Sequence, residues 1–234
     1  MNTSKHKIVV LSDLGDSTAI SLNTAISLAK KTNASIHLFH VKKPSDIVST
    51  DNQLSANRAI NTKFTQTNKD INELVSSYSK KYGINITSSF TFGNIKNEID
   101  AFIENTNPSI IVIGKRRNKS ITALGDKISK HILKREGKTI VIASSTNNIT
   151  PETEISLGVY NELEKQSNDF ITEIIEKYNK TPLKSIRANK KDIKSLETKD
   201  INLLIVDREN VKPKSTKSFN ELLRKIDVSL VVAN

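Results

Sequence analysis

The sequence predicts an α/β fold in which a five-stranded parallel doubly wound sheet is followed by a shortened α/β repeat. Three observations predict this class. Short apolar runs alternate with helix-like stretches over residues 7–144. Most of these runs are continuously apolar, which is typical of parallel strands buried on both faces. A similar order of elements then recurs in shorter form after residue 152.

Each element of the first part has its own signal. The predicted strands are KIVVL, ASIHLFHV, NITSSFTF, SIIVIG and KTIVIAS, at residues 7–11, 34–41, 85–92, 109–114 and 138–144. Helices are predicted over residues 17–30, 54–81, 95–105 and 124–135. Asp16 or Ser17 is the expected N-cap of the first helix. The turns after Leu11, Val41 and Ile113 should share the carboxyl edge of the sheet, where such folds bind ligands.

The C-terminal part is interpreted as a shortened repeat of the first part. The corresponding segments are 80–99 with 176–196, 109–117 with 202–210, and 133–144 with 223–234. One strand–helix unit is missing from the second copy. The sequence does not say which unit it is, because ISLGVYN (155–161) can stand for either of the first two strands.

The repeat divides the chain into two expected domains, residues 1–146 and 152–234, around a polar linker at 145–153. We expect the two to pack as a pseudo-symmetric pair, and the alternative is two independent small domains. The closing strands KTIVIAS and VSLVVAN can pair within one chain or between two chains.

Composition excludes several classes of site. The chain of 234 residues has no cysteine, which excludes disulfides, thiolate metal sites and cysteine nucleophiles. His37 and His40 are three residues apart in a predicted strand, so they should point to opposite faces, and we interpret them as structural. No apolar run is long enough for a signal peptide or a membrane span, so a cytoplasmic location is expected.

Positive charge is concentrated after the fourth predicted strand. The net charge is +11, and residues 115–138 contain nine cations and two acids. Gly114 ends the strand, the cations Lys115, Arg116 and Arg117 follow, and Gly125 precedes the next predicted helix. A strand, a glycine, a basic loop, a second glycine and a helix are the order in which many proteins hold a phosphate group.

With these motifs in place, residues 1–146 resemble the universal stress protein family. VVLSDLGDS resembles its first strand, HLFHVKKP its second, and residues 111–144 its closing loop, helix and strand. The resemblance implies an adenine-nucleotide-binding fold, and many members carry two such domains in tandem. It also implies that Asp13 lies near the nucleoside, that the main chain of Val41 meets adenine, and that Gly114 and Gly125 bracket the phosphates of ATP.

The loop departs from the family pattern of glycine, two residues, glycine, nine residues, glycine and a hydroxyl residue. Arg117 replaces the second glycine, Asp126 replaces the hydroxyl residue, and the loop is two residues shorter. A side chain at Arg117 restricts close approach of the backbone to phosphate, and a carboxylate at Asp126 repels it. Both changes argue against the usual ATP pose. The basic residues Lys115, Arg116 and Arg117 argue instead for a modified anion site.

The sequence therefore predicts a stress-type regulatory protein that acts by binding and not as an enzyme. ATP or another nucleotide is one expected ligand, and a protein partner or a second copy in a dimer is the other. No catalytic or metal-ligating constellation stands out. The alternatives are a basic module that contacts nucleic acid through residues 115–138, which the few aromatic residues disfavour, and a weak nucleotide hydrolase.

Overall fold

The computed structural model describes residues 5–44, 53–115, 127–160, 169–178, 184–186, 200–207 and 226–233. The strands in these ranges are β1 Lys7–Ser12, β2 Ser35–Lys42, β3 Ile86–Phe92, β4 Ile110–Gly114, β5 Thr139–Ala143, β6 Leu157–Tyr160, β7 Lys184–Ile186, β8 Leu203–Asp207 and β9 Ser229–Ala233. The helices are α1 Asp16–Thr32, α2 Gln53–Tyr82, α3 Ile95–Thr106, α4 Lys127–Ile132 and α5 Asp169–Tyr178. Within the same ranges, no helix combines the length and the apolar character needed to cross a membrane.

All of these strands belong to one mixed sheet with the order β3-β2-β1-β4-β5-β9-β8-β6-β7. Strands β1 to β5 are parallel, which confirms the predicted fold class. Strand β5 then pairs antiparallel with β9, where Val141 lies opposite Val231. The two closing strands therefore pair inside one chain, which answers the question that the sequence left open.

Helices cover both faces of the sheet and enclose an apolar core on each. Alternation along β1 explains the division, because Ile8 and Val10 face the core under α1, α2 and α5 while Val9 faces the core of the opposite side. All three side chains are fully buried. Each core also contains residues of β8 and β9, such as Val231 on one side and Val232 on the other. The two parts of the chain thus share their cores.

The neighbours of β6 repeat those of β1. Strand β6 lies between β7 and β8, as β1 lies between β2 and β4. By this position β6 corresponds to β1 and β7 to β2, and β3 has no counterpart among the described strands. The sequence comparison instead aligned the segment around β7 with β3, because a short, weakly matching strand carries no information about its place in the sheet. The division into domains 1–146 and 152–234 remains a prediction.

The stretch expected to be a polar linker, 145–153, is built into the fold. Ile149 is fully buried in the core that also contains Ile155. The Ser144 hydroxyl, just before the stretch, donates a hydrogen bond of 2.6 Å to the carbonyl oxygen of Asp227. The connection therefore packs against both parts of the chain instead of only spacing them.

One helix start differs from the sequence prediction. Helix α1 begins at Asp16, and Gly15 occupies the N-cap position without a side-chain capping bond. The prediction of Asp16 or Ser17 as N-cap was therefore wrong. The reason is that Asp13, three residues earlier, supplies the oxygen that holds the turn. The predicted start of α4 at residue 124 lies outside the described residues.

Candidate functional site

A cavity of about 460 Å³ opens at the carboxyl edge of the sheet, beyond the ends of β1, β2 and β4. Its wall contains Leu11, Val41 and Ile113, the last residues of the three apolar runs that the sequence placed at a common edge. Parallel pairing of β1 with both β2 and β4 brings these ends together. The volume lies within the range of ordinary small-molecule sites.

The eight residues predicted for the site divide into three groups. Asp13, Val41 and Gly114 lie in the wall of the cavity. Lys115 is described, but its side chain is engaged elsewhere. Arg116, Arg117, Gly125 and Asp126 lie outside the described residues. The structure thus brings together the strand-end residues of the prediction.

Asp13 holds the turn between β1 and α1. Its Oδ1 atom accepts hydrogen bonds from the amide of Gly15 at 2.9 Å, the hydroxyl of Ser17 at 3.0 Å and the hydroxyl of Thr18 at 3.3 Å. The carboxylate therefore satisfies donors at the amino end of α1, where the helix dipole also favours negative charge. Its first role is to fix the shape of the cavity wall.

The same turn contains a residue in an uncommon backbone conformation. Leu14 has φ of 57°, in the left-handed region that a leucine rarely adopts. The Ser12 hydroxyl accepts a 2.9 Å hydrogen bond from the Leu14 amide, and Asp13 holds the next residue. Such a conformation costs about 1–2 kcal/mol and persists where the surroundings determine it, often at binding sites.

Gly114 is required by packing at the end of β4. A Cβ atom built there would overlap the carbonyl oxygen of Ser17 and lie 2.6 Å from the Ser21 hydroxyl. The first turns of α1 therefore rest directly on the backbone of β4. A glycine at this position is explained by helix–strand packing whether or not the following loop holds phosphate.

Lys115 connects the two parts of the chain. Its ammonium donates a hydrogen bond of 2.9 Å to the carbonyl oxygen of Ile226, just before β9, and its amide donates to Ala143 at 2.9 Å. Burial lowers the pKa of Lys115, and the nearby Asp227 carboxylate partly opposes this effect. This cation therefore acts in the described structure as a tie to the C-terminal part.

Positive potential reaches the cavity from other sources. Lys42 and Lys43, at the end of β2, are both in its wall. Helices α1 and α3 begin there, with Ser17 and Ile95 of their first turns facing the cavity. The dipole at helix amino ends favours an anionic group, although the Asp13 carboxylate already lies at the amino end of α1 and Asn94 caps that of α3.

Part of the wall is apolar. It is formed by Leu11, Phe39, Val41, Ile95, Ile99, Ile113 and Ile128. The ring of Phe39 stacks on Phe102 of α3 with the centroids 3.9 Å apart. This surface can accept a flat apolar group such as a nucleobase.

His40 was interpreted from the sequence as structural, and the structure places it in the wall of the cavity. Its Nδ1 atom lies 2.8 Å from the carbonyl oxygen of Ser12. His37 lies on the opposite face of β2, as predicted, where its ring nitrogens bond Thr87 and Ser89 at 2.8 Å each. The available signal for His40 was its position, one residue before Val41 at a strand end.

Two further wall residues, Ser12 and Ser129, were not predicted, although Ser12 directly precedes Asp13. Across the described part of the chain, no group of three or more His, Cys, Asp or Glu side chains is arranged to hold a metal ion.

Comparison with known proteins agrees with this geometry. The model of the universal stress protein family matches residues 5–142. No curated protein sequence matches the chain significantly.

Two solved structures are similar over nearly the whole chain. A universal stress protein from Archaeoglobus fulgidus DSM 4304 is 12% identical with a TM-score of 0.70, over 97% of this chain and 95% of that one. A functionally unknown protein from Pseudomonas aeruginosa PAO1 is 10% identical with a TM-score of 0.62, over 97% and 92%. At these identities the structures show the fold alone. The family match, which spans more than half of the sequence, shows that the chain belongs to the universal stress protein family.

Proposed function

We propose that this protein is a stress-type regulatory protein that binds a nucleotide-class small molecule in the carboxyl-edge cavity and acts through binding, without turnover. The observation that carries the proposal is the cavity itself, in which Asp13, Val41 and Gly114 meet beyond the ends of three parallel strands. Ligands of open α/β sheets bind at this edge.

The wall suits the parts of a nucleoside. The apolar surface around Phe39 and Val41 is suited to a base, and the polar groups of Ser12, Asp13 and His40 lie beside it. About 460 Å³ is enough for a nucleoside with a short phosphate chain. The family to which the chain belongs supports the same class of ligand.

Recognition of phosphate is assigned to the end of β2 and to the loop after β4. Lys43 is exposed in the cavity wall, and the amino ends of α1 and α3 face the same space. The basic residues Arg116 and Arg117, which follow β4 in the sequence, remain part of the proposed site. Because Lys115 is tied to Ile226, we do not assign it to the ligand.

Calorimetric titration of adenosine, AMP, ADP and ATP, each with and without Mg²⁺, tests the proposal directly. We expect measurable binding and a rise in Tm with ligand concentration, because a ligand that binds only the folded state stabilises it. No heat and no thermal shift with any of the four at millimolar concentration would overturn nucleotide binding.

A matched pair of variants locates the site. Lys43→Glu should weaken the binding of ATP more than the binding of adenosine, since only ATP carries the phosphate charge that the new carboxylate repels. Lys63→Glu makes the same charge change on the exposed surface of α2 and should leave ATP affinity nearly unchanged. An equal effect of the two variants would indicate a general charge effect and not a site at this edge.

Self-association is a second candidate function, but it cannot use the edge of β5. The edge of β5 is occupied by β9 of the same chain, so the pairing of last strands between two chains is already replaced within one. A second copy would have to use another surface. Sedimentation of the purified protein over a range of concentrations distinguishes a monomer from a dimer.

A further inference from the structure

His40 sits where the cavity needs a polar group that can discriminate between ligands. Its side chain is only 6% exposed, lies at the carboxyl end of β2 and forms part of the cavity wall. It is therefore a buried polar side chain beside an open space.

The hydrogen bond of His40 fixes its tautomer. A carbonyl oxygen has no proton, so the 2.8 Å contact with Ser12 requires that Nδ1 carry hydrogen and donate. In the neutral ring the other nitrogen, Nε2, is then an acceptor. Burial lowers the pKa of His40, with the Ser12 carbonyl partly opposing this, so the ring is neutral at physiological pH.

His37 provides an internal contrast. Both of its ring nitrogens have hydroxyl partners, Thr87 and Ser89, and Phe102 stacks on the ring at 5.2 Å. Among the residues that the structure describes, the Nε2 atom of His40 makes no hydrogen bond. The two histidines of this strand therefore differ: both ring nitrogens of His37 have partners, whereas for His40, a residue of the cavity wall, only Nδ1 has a partner among the described residues.

We propose that His40 is a specificity-determining residue, whose Nε2 atom accepts a hydrogen bond from an uncharged donor of the ligand, either an amino group of the base or a hydroxyl group of the sugar. This inference rests on the proposed function. It predicts that nucleosides lacking the donor bind less tightly, because the acceptor would be desolvated without a partner.

Two substitutions separate the ligand role of His40 from its structural role. In His40→Asn the amide nitrogen can occupy the place of Nδ1 and still donate to Ser12, while the acceptor is removed. In His40→Gln the amide lies near the place of Nε2 and can offer its oxygen, while the bond to Ser12 is lost. The structural bond and the ligand bond are thus removed one at a time.

Titration of wild type and both variants with adenosine, purine riboside, 2′-deoxyadenosine and 3′-deoxyadenosine is the decisive experiment. We expect His40→Asn to bind adenosine about three- to tenfold more weakly with little change in Tm, and His40→Gln to have a lower Tm with smaller loss of affinity. One analogue should bind wild type more weakly than adenosine does. The same analogue and adenosine should bind His40→Asn with equal affinity. That analogue identifies the donor, amino group or hydroxyl.

The imidazole ¹⁵N resonances give a readout that a structural role alone would not move. They should report a protonated Nδ1 in the unliganded protein and a shift of Nε2 on addition of adenosine. If His40→Asn binds all four nucleosides as wild type does, or weakens all four equally, this inference is wrong while the proposed function stands. If wild type binds none of them, this inference falls, while titration with AMP, ADP and ATP still decides the proposed function.

Discussion

The two parts of the sheet have similar strand neighbours but different residues at their carboxyl ends. Strands β1 and β4 end in Ser12 and Gly114, which are small, and a cavity opens beyond them. Strands β6 and β8, the corresponding pair by position, end in Tyr160 and Asp207, each 8% exposed. The parallel framework supplies an edge in both parts. The size and polarity of the residues at that edge decide what it can hold.

The comparison has meaning only if the two parts form one cooperative unit, and a charge in the shared core tests this. Val231→Asp places a carboxylate at a fully buried position of β9 opposite Val141. We expect a loss of about 4 kcal/mol in the free energy of unfolding, since an unpaired buried charge is strongly destabilising. Hydrogen exchange should show that β1 and β8 lose protection together.

Ser76→Asp is the control for this charge, because Ser76 is exposed on α2. It should change the free energy of unfolding by no more than about 0.5 kcal/mol. If Val231→Asp exposed β8 while β1 kept its protection, the two parts would be independent domains, as in the alternative interpretation of the sequence.

The second prediction concerns the small residue at the end of β4. Gly114→Ala should cost about 2–3 kcal/mol, because its Cβ would overlap the Ser17 carbonyl and force α1 away from the strand. Gly137→Ala is the matched control, since its φ of 71° strains alanine but no atom lies within 4 Å of the added carbon. That variant should cost only about 1 kcal/mol. Urea unfolding of both variants measures the difference.

Equal costs for the two alanine variants would mean that α1 moves away easily from the added carbon, and that close packing does not require a glycine at position 114. The alternative result is a larger loss of stability in Gly114→Ala with an unchanged ligand affinity, measured after refolding at low temperature. It would mean that Gly114 supports the packing of the cavity wall and does not itself contact the ligand.

The third prediction concerns Lys115, which joins the two parts. Lys115→Met keeps most of the side-chain length but removes the donor to Ile226. The free energy of unfolding should fall by about 1 kcal/mol, because the lost hydrogen bond is partly offset by no longer burying a charge. Because Lys115 is absent from the cavity wall, ATP affinity should change less than about twofold. Lys130→Met, at an exposed position of α4, is the stability control.

A tenfold loss of ATP affinity in Lys115→Met would contradict this assignment. It would return Lys115 to the ligand site, where the sequence had placed it.

The framework of the first part was predicted well from the sequence, and the reason is physical. The continuous apolar runs around Val9, Leu38 and Ile111 leave no alternative to strands buried on both faces, and their alternation with helices leaves little choice but parallel pairing. Asp13, Val41 and Gly114 followed from the same logic, because strand ends are read directly from where such runs stop.

The features that could not be predicted from the sequence are those that depend on the partners of individual side chains. Nothing local marks Lys115 as a donor to Ile226, since the two are 111 residues apart. Nothing local separates His40 from His37, because their difference is whether hydroxyl groups of β3 or a carbonyl of β1 lie beside the ring. The N-cap error at α1 had the same origin, as Asp13 reaches over Gly15.

The smallest predicted effect also separates the two parts, because all four histidines lie before residue 147 and none lies in the second part. Burial, with a further contribution from Lys7, lowers the pKa of His37. Burial is also the main cause of the lowered pKa of His40, with Lys42 acting in the same direction and Ser12 and Asp13 against it. Below the ordinary histidine pKa the unfolded chain therefore binds more protons than the folded one, and acid favours unfolding.

We accordingly expect the free energy of unfolding, measured in urea, to fall as the pH is lowered from about 7.5 to about 5.5, a window in which most carboxylates are already ionised. The double variant His37→Gln/His40→Asn should be less stable at neutral pH but show a flatter dependence over that window. A wild-type profile as flat as that of the double variant would mean that both imidazoles accept protons in the folded state as easily as in water.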